Sequence, residues 1–187
     1  DNGTDSRIIL PIPRGETTVS RAQATISYGE AGSDRWSGQI NIEDLTTTEF
    51  AASRANFDLG GIAQNLDQPD ARRITFAVDG GLTGIVAKRA DIGEALGDTI
   101  TLDVDGAWDA GQPIDLANAT VSGNALDVSL GGKIAELAFT GDIAVRAQNI
   151  APFSSLAGRN LAGALDLKAT GRVEPLTGAF DLTIDSA

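Results

Sequence analysis

Strict alternation of apolar and polar residues runs through most of this chain and limits the secondary structure it can form. In GALDLKATGRVEPLTGAFDLTI, residues 163–184, apolar residues occupy alternate positions on both sides of the short connection 174–178. The apolar positions are Leu165, Leu167, Ala169 and Val173 in the first run and Phe180, Leu182 and Ile184 in the second. A two-residue period places alternate side chains on opposite faces of a β-strand. The stretch therefore predicts an antiparallel hairpin with one apolar face.

The same alternation recurs along the rest of the chain. It predicts further strands over 7–13, 17–28, 36–45, 52–66, 72–86, 99–108, 116–123, 125–134 and 136–150. Helical spacing appears only in two connections, at 91–97 and 152–158, where we expect short helical turns. No Pro/Ser-rich linker or block of charge divides the sequence. We therefore expect residues 1–187 to form one elongated, all-β unit of a dozen or so antiparallel strands.

The kinds of apolar residue favour an extended or tightly curved sheet over a dense globule. Hydrophobic residues make up 42% of the chain, but aromatic residues only 5%, and there are 22 glycines. Glycine inside a strand weakens side-chain packing and often marks a bend or a close approach of two backbones.

The residue types that are missing exclude several kinds of chemistry. The sequence contains no His, Cys or Met. Imidazole bases, histidine metal ligands, thiol nucleophiles, zinc–thiolate sites and disulfides are therefore excluded. The net charge of −12 would repel a nucleic-acid backbone or an anionic membrane surface. No stretch is apolar for long enough to span a bilayer as a helix. The chain also has no signal peptide and no initiator Met, which suggests an internal piece of a longer protein.

The acidic and aromatic residues give no convincing catalytic or metal site. Asp103, Asp105 and Asp109 lie near a glycine, but their spacing does not fit a calcium-binding loop. Paired carboxylates could suggest a glycosidase, yet one Tyr and two Trp offer few surfaces for stacking sugars. Trp36 and Trp108 fall on the apolar positions of their strands, which favours packing over ligand stacking. No nucleophile elbow, P-loop or dinucleotide motif is present. We therefore predict no enzyme, metal or cofactor.

The apolar face is the remaining candidate for function. Its ordinary interpretation is a sandwich, in which two such faces pack together and form a sealed core.

Three stretches resemble a known family: NFDLGGIAQNLDQPDARRITFAVDGGLTG, DIGEALGDTITLDVDGAWDAGQPIDLANATVSG and LAFTGDIAVRAQNIAPFSSLAGRNLAGALDLKATGRVEPLTGAFDLTI. They are similar to the body of the TamB family (translocation and assembly module subunit) of alphaproteobacteria, from about residue 36 to the end. The resemblance implies an internal segment of an AsmA-like, repeating β-groove protein, in which a curved sheet forms an open apolar groove, or β-taco.

The resemblance also implies a function in the Gram-negative envelope. TamB-like proteins are periplasmic bridges, anchored in the inner membrane, that conduct phospholipid to the outer membrane and are linked to autotransporter assembly. The implied protein partner is TamA, an Omp85-type outer-membrane protein, contacted through parts of the family's chain that this sequence does not include. The implied ligands are phospholipid acyl chains.

The resemblance implies that apolar positions of the alternating runs line the groove and contact lipid. These positions are Ile40, Ile42, Phe57, Leu59, Ile74, Phe76, Val78, Ile100, Leu102, Val104, Leu126, Val128, Leu130, Phe139, Leu165, Leu167, Val173, Phe180, Leu182 and Ile184.

Two other kinds of protein remain open at this level. A structural or adhesive module, either a solenoid or a sandwich with a sealed core, would bury the same apolar face. A carbohydrate-binding sandwich would expose aromatic residues on a concave face.

Overall fold

The computed structural model describes residues 8–10, 17–29, 32–89, 93, 97–174 and 177–185, and β-strands dominate this part of the chain. The strands are β1 Ile8–Leu10, β2 Thr17–Val19, β3 Arg21–Tyr28, β4 Arg35–Thr46, β5 Phe50–Gln64, β6 Arg73–Ala87, β7 Thr99–Asp109, β8 Ile114–Ser122, β9 Asp127–Ala135, β10 Ala138–Ala147, β11 Leu165–Glu174 and β12 Ala179–Asp185.

All twelve strands belong to one antiparallel sheet, and from β4 to β12 each strand pairs with the next one in sequence. β2 and β3 follow one another along the same side of β4, and β1 pairs with β2. The order of pairing is an open path that ends at β12. The prediction of an all-β, antiparallel fold is therefore confirmed.

In the described residues, helical structure is confined to connections between strands. A 3-10 turn covers Pro69–Ala71 between β5 and β6. A second 3-10 turn, Ala151–Phe153, runs into the single-turn helix α1, Ser154–Ala157. Gly158 ends this helix with a φ of 64°, the left-handed conformation that glycine adopts most readily. The helical turn predicted at 152–158 is present. The one predicted at 91–97 lies outside the described residues except for Gly93 and Gly97.

The hairpin predicted at 163–184 is β11 paired with β12. Val173 lies opposite Phe180, and Ala169 lies opposite Ile184. Side-chain exposure also follows the predicted period of two. In β4, Trp36 to Ile42 alternate between half-buried apolar or glycine positions and exposed polar ones. The central strands are longer than a typical strand, because β5 and β6 each contain 15 residues.

A row of directly paired residues crosses ten strands and contains five of the strand glycines. We call it the glycine row. From β3 to β12 it consists of Tyr28, Trp36, Gly61, Phe76, Gly106, Leu116, Gly132, Gly141, Gly171 and Leu182.

At every glycine of this row the neighbouring strand approaches too closely for a side chain. A Cβ atom at Gly61 would lie within 3.0 Å of the Thr75 carbonyl oxygen, and one at Gly171 would conflict equally with the Asp181 carbonyl oxygen. Aromatic rings lie over two of the glycines, Trp36 over Gly61 and Phe76 over Gly106. Aligned glycines of this kind let consecutive strands bend at the same level, which curves a sheet across its strands.

The buried core is small for a chain of this size. The buried apolar residues in the described part are Val19, Ala52, Ala55, Ala63, Ile85, Leu116, Ala119, Ala138, Phe139, Ala147 and Ala169, most of them alanine. The accessible surface is 12080 Å². A compact protein of 19.2 kDa exposes about 8,400 Å². The excess is what a single curved sheet with two accessible faces produces.

The glycine row predicts that alanine substitutions at the adjacent residues Gly61 and Gly60 differ sharply in their effect on stability. Gly61→Ala should cost at least about 2 kcal/mol of unfolding free energy, because its Cβ would enter the space of the Thr75 carbonyl. Gly60→Ala should change stability by less than about 1 kcal/mol, since its Cβ would keep an ordinary 3.7 Å from the Trp36 carbonyl oxygen. Urea unfolding of both variants measures the difference. Equal effects would show that Gly61 does not mark a close approach.

Candidate functional site

Two more rows of paired residues lie beside the glycine row on the same side of the sheet, and both are almost entirely aliphatic. The middle row consists of Ile26, Gly38, Leu59, Val78, Val104, Ala119, Leu130, Ile143, Ala169 and Ile184. The distal row consists of Ala24, Ile40, Phe57, Gly80, Leu102, Val121, Val128, Val145 and Leu167.

Shorter apolar rows flank these three. Ala22, Ile42, Ala55, Leu82 and Ile100 lie beyond the distal row, and Ala147 pairs with Leu165 at the same level on later strands. On the far side of the glycine row lie Ala63, Ile74 and Trp108, followed on later strands by Ile114, Ile134, Phe139, Val173 and Phe180. We call the whole surface formed by these rows the apolar face.

The apolar face extends across the strands farther than along them. The glycine and middle rows each cross ten strands, which corresponds to about 43 Å at ~4.8 Å per strand. Adjacent rows are two residues apart along a strand, or about 7 Å. The face is thus a long band that runs in the direction of the backbone hydrogen bonds.

The apolar face is shielded from water but not sealed. Of the positions predicted to line a groove, Phe139 is the one that is fully buried, at 8% exposure. Most others are half-buried, whereas most of the polar residues that alternate with them are exposed. No second layer of strands covers the face in the described part of the chain. Because one face of a single sheet is consistently the more shielded, we conclude that the sheet curves toward its apolar side.

The predicted lining residues come together on this face with one exception. Leu126 precedes β9 and lies in the connection after β8, where its carbonyl accepts a hydrogen bond from the Gly123 amide at 2.8 Å. At the end of the sheet the lining is open, because Phe180 is 74% exposed and Ile184 is 59% exposed. The strand pairing places these residues on one face. Their contact with lipid stays a prediction.

Several residues of the apolar face were not predicted from the sequence, notably Leu116, Val121, Ile134, Ile143 and Val145. The strand β8 explains part of this omission. Its register against β9 shifts between Leu116 and Ala119, so both residues face the apolar side although they are three positions apart. A fixed period of two misplaces residues beyond such a bulge. In β10 the apolar positions do alternate, and Gly141 between them weakens the pattern.

Both tryptophans lie on the apolar face and are half-buried. The indole N–H of Trp36 donates to the Thr75 carbonyl at 3.1 Å, which holds the ring over Gly61. This hydrogen bond crosses β5 and ties β4 to β6. Trp36 therefore packs on the sheet, as its position in the alternating pattern predicts.

The opposite face is polar and carries three aspartates in direct register. Asp58, Asp79 and Asp103 lie side by side on β5, β6 and β7. The amide of Gln39 donates to Asp58 at 2.8 Å, and that of Asn118 donates to Asp103 at 2.7 Å. No acidic cluster in the described ranges is arranged to hold a metal ion. Asp103, Asp105 and Asp109, whose spacing does not fit a calcium-binding loop, lie on the polar face of β7.

The repulsion within this row of carboxylates acts mainly on the middle one, Asp79. A hydrogen bond with the Asp103 carboxyl raises the pKa of Asp79 above its ordinary value of 3.8, with smaller contributions from desolvation and from the charges of Asp103, Asp105 and Asp58. Like charges directly opposite one another destabilise a sheet. Two pairs of opposite charge also lie on this face, Arg73–Asp109 at 3.1 Å and Arg146–Asp166 at 3.4 Å.

We expect Asp79→Asn to raise the melting temperature at pH 7. A carboxyl whose pKa is higher in the folded than in the unfolded protein lowers stability when it is ionised. This penalty is fully present above the folded-state pKa and disappears as the pH falls below the ordinary value of 3.8. The gain from Asp79→Asn should therefore vanish in acid. Asp166→Asn is the control, because it removes an exposed ion pair and should lower stability at pH 7 by at most about 1 kcal/mol. A Tm difference for Asp79→Asn that is independent of pH would contradict this account.

Comparisons with known proteins add no information on the role of this face. No helix in the described ranges is long and apolar enough to cross a membrane. No protein-family model, curated protein or solved structure matches the chain.

Proposed function

We propose that the apolar face binds the acyl chains of phospholipids, and that the chain is a segment of a bridge that conducts these lipids across a cell envelope. The observation that carries the proposal is the apolar face itself. It is continuous over ten strands, it is only half-buried, and no layer of the described sheet covers it. An exposed apolar surface of this extent indicates a site of interaction.

The chemistry of the face suits acyl chains better than a ligand with polar groups. The three central rows are composed of aliphatic, glycine and a few aromatic residues. Hydrophobic contact is non-directional and scales with the apolar area removed from water. Moving a C16 chain through water would cost about 13 kcal/mol at ~0.8 kcal/mol per methylene. Contact with the apolar face would remove much of this cost without any chemical step.

The dimensions also favour a continuous path over a single binding pocket. At about 43 Å, the glycine and middle rows exceed the length of one extended C16–C18 chain. Neighbouring positions along the middle row are almost all aliphatic, so no position of that row would hold one lipid much more tightly than the next. The polar face, in a chain of net charge −12, stays hydrated while the apolar face is occupied.

The cellular setting of this proposal follows from the resemblance to the TamB family. It places the segment in the periplasm, in a protein anchored in the inner membrane, between inner and outer membranes. It also suggests a link to outer-membrane protein assembly through the Omp85-type protein TamA, by way of other parts of a longer chain.

A structural or adhesive module with a sealed core is the alternative. Such a module needs a second apolar layer over the first, as in a sandwich. The excess of accessible surface over that of a compact protein argues against this arrangement.

Site-specific photo-crosslinking tests which face meets lipid. A photoreactive residue at Leu102, Val128 or Leu167 should capture phospholipid in cells, since all three lie in the distal row. The same residue at Asp103, Asp127 or Asp166 should not, because these positions are exposed on the polar face. Mass spectrometry of the adducts identifies the lipid. Equal capture from both sets would refute the apolar face as the lipid path.

A charge on the apolar face separates an open path from a sealed core. We expect Leu102→Arg to cost only about 1–2 kcal/mol of stability, because Leu102 is half-buried and an arginine can extend to the open side. The same change should abolish transfer of fluorescent phospholipid between vesicles by the purified protein. An uncompensated charge in a sealed core would cost several kcal/mol.

Thr101→Arg is the matched control for this experiment. Thr101 precedes Leu102 in β7 and is exposed on the polar face, so its substitution should leave both stability and lipid transfer nearly unchanged. An unfolded Leu102→Arg beside a folded Thr101→Arg would favour the sealed core. A folded Leu102→Arg that still transfers lipid at the normal rate would remove the basis of the proposal.

A further inference from the structure

The one Tyr and two Trp of the chain all lie on one side of the apolar face. Tyr28 and Trp36 belong to the glycine row, and Trp108 lies in the next row toward the ends of the strands. We call these strand ends, beyond Ala63, Ile74 and Trp108, the glycine-side rim. Rings that combine an apolar body with a polar group favour the boundary between apolar and hydrated regions. The glycine-side rim therefore has the character of such a boundary.

Two of these three rings use their polar group within the fold, and Trp108 does not. The Tyr28 hydroxyl donates to the Ala63 carbonyl at 3.3 Å, and the Trp36 N–H donates to the Thr75 carbonyl. The indole N–H of Trp108 has no acceptor in the described part of the chain. Since no buried polar side-chain atom there lacks a partner, this N–H reaches the surface. It is free to donate to a ligand that lies on the apolar face.

Arg72 lies beside Trp108 at the same rim. It immediately precedes β6 in an extended conformation, and the Ala110 amide donates to its carbonyl at 2.9 Å. The pairing of β6 with β7 thus continues by one residue. Arg72 is two positions from Ile74, the partner of Trp108, and shares its face of the sheet. The Arg72 side chain is half-buried there.

The charge of Arg72 is not neutralised within the described ranges. Its Nε donates to the Leu66 carbonyl at 2.9 Å, and no carboxylate there forms an ion pair with it. The next residue differs in both respects, because Arg73 is exposed on the polar face and pairs with Asp109. The two terminal nitrogens of the Arg72 guanidinium are available to a ligand. Their planar arrangement suits a phosphate group.

We propose that Arg72 and Trp108 bind the head of a zwitterionic phospholipid whose acyl chains lie along β6 and β7, an inference that rests on the proposed function. The Arg72 guanidinium binds the phosphate, and the Trp108 N–H donates to an ester carbonyl oxygen. The indole ring contacts the first methylene groups. Lipid on the apolar face then has a fixed polarity, with its head at the glycine-side rim.

A path for the acyl chain continues from this site along the two strands. It consists of the apolar pairs Ile74–Trp108, Phe76–Gly106, Val78–Val104, Gly80–Leu102 and Leu82–Ile100. The eight steps from Trp108 to Ile100 span about 27 Å, which accommodates an extended C16–C18 chain. The last pair, Leu82–Ile100, is aliphatic, so it suits the methyl end of the chain and offers no donor to a lipid head.

The charges near Arg72 favour a zwitterionic head over an anionic one. Asp67 and Asp70, in the connection that leads to β6, are exposed and form no ion pair within the described ranges. The Arg72 guanidinium contacts Leu66, the residue before Asp67. A head in which an ammonium group follows the phosphate matches both signs of charge. An anionic head would be repelled by these carboxylates and by the net charge of −12.

Fluorescence quenching by brominated phosphatidylcholine tests the polarity of the bound lipid. Trp36→Phe keeps a ring over Gly61 and leaves Trp108 as the single tryptophan. We expect bromine near the ester end of the acyl chain to quench Trp108 more strongly than bromine near the methyl end. Trp108→Phe leaves Trp36, one row farther from the rim, and its preference for the ester end should be weaker.

The other quenching patterns would overturn the proposal in distinguishable ways. A reversed preference at Trp108 would place the lipid head at the opposite rim. Equal quenching from both bromine positions would indicate acyl chains that lie across the strands. The absence of any quenching, in either single-tryptophan variant, would refute lipid binding itself and with it the proposed function.

Removal of one charge tests the role of Arg72. Arg72→Gln keeps a donor for the Leu66 carbonyl, and Arg73→Gln is the matched control on the polar face. Titration with a short-chain phosphatidylcholine, followed by tryptophan fluorescence, measures the dissociation constant. We expect Arg72→Gln to raise it about fivefold to tenfold and Arg73→Gln to raise it less than about twofold. Neither variant should alter binding of an alkyl maltoside of the same chain length, which has no phosphate.

Two results of this titration would refute a phosphate contact at Arg72. One is equal weakening by Arg72→Gln and Arg73→Gln, and the other is a loss of maltoside binding in Arg72→Gln, which would indicate a structural effect. Inorganic phosphate offers the same chemistry from a different source. Added alone, it should leave the emission of Trp108 unchanged. Phosphate that binds as tightly as the lipid would assign the site to the free anion and overturn the proposal.

Discussion

The backbone hydrogen-bond ladder between consecutive strands is the interaction on which the rest of this structure depends. Each strand from β4 to β12 pairs with its neighbour in sequence, so most pairings close a short loop and cost little chain entropy, the longest connection being 148–164 between β10 and β11. The ladder provides hydrogen-bond partners for the backbone N–H and C=O groups, which the small buried core could not do. Side-chain burial contributes less, because most fully buried apolar residues are alanines. A sheet held mainly by its backbone can leave one apolar face uncovered and still keep its shape.

The glycine row gives this ladder its curvature. Five glycines and several large side chains, among them Trp36 and Phe76, occupy one line across ten strands. Where two backbones approach closely at the same level on successive strands, the bends add up along a single line. The aromatic rings cover the glycines and restore part of the apolar contact that a missing side chain removes. The same line therefore curves the sheet and forms part of the apolar face.

The sequence predicts the strands well because a two-residue period has no helical equivalent. It predicts much less about how strands align with one another. Leu102, Val128 and Leu167 were each assigned to an apolar face, but their place in one row depends on loop lengths and bulges outside their own strands. The shift in β8 brings Leu116 and Ala119 to the same face, which no fixed period could anticipate. The proposed role of the face in lipid contact rests on a resemblance of sequence phrases, because alternation alone is also consistent with a sealed core.

The arrangement of the apolar face bears on how a lipid could move, if it binds acyl chains as we propose. Along the middle row, aliphatic side chains recur at nearly every strand spacing of about 4.8 Å. A methylene group that leaves one strand gains nearly the same apolar contact on the next, so the free energy along the row should be nearly flat. A flat profile favours movement and gives it no direction. Direction would then have to arise at the two ends of the path, from differences in how lipid enters and leaves it.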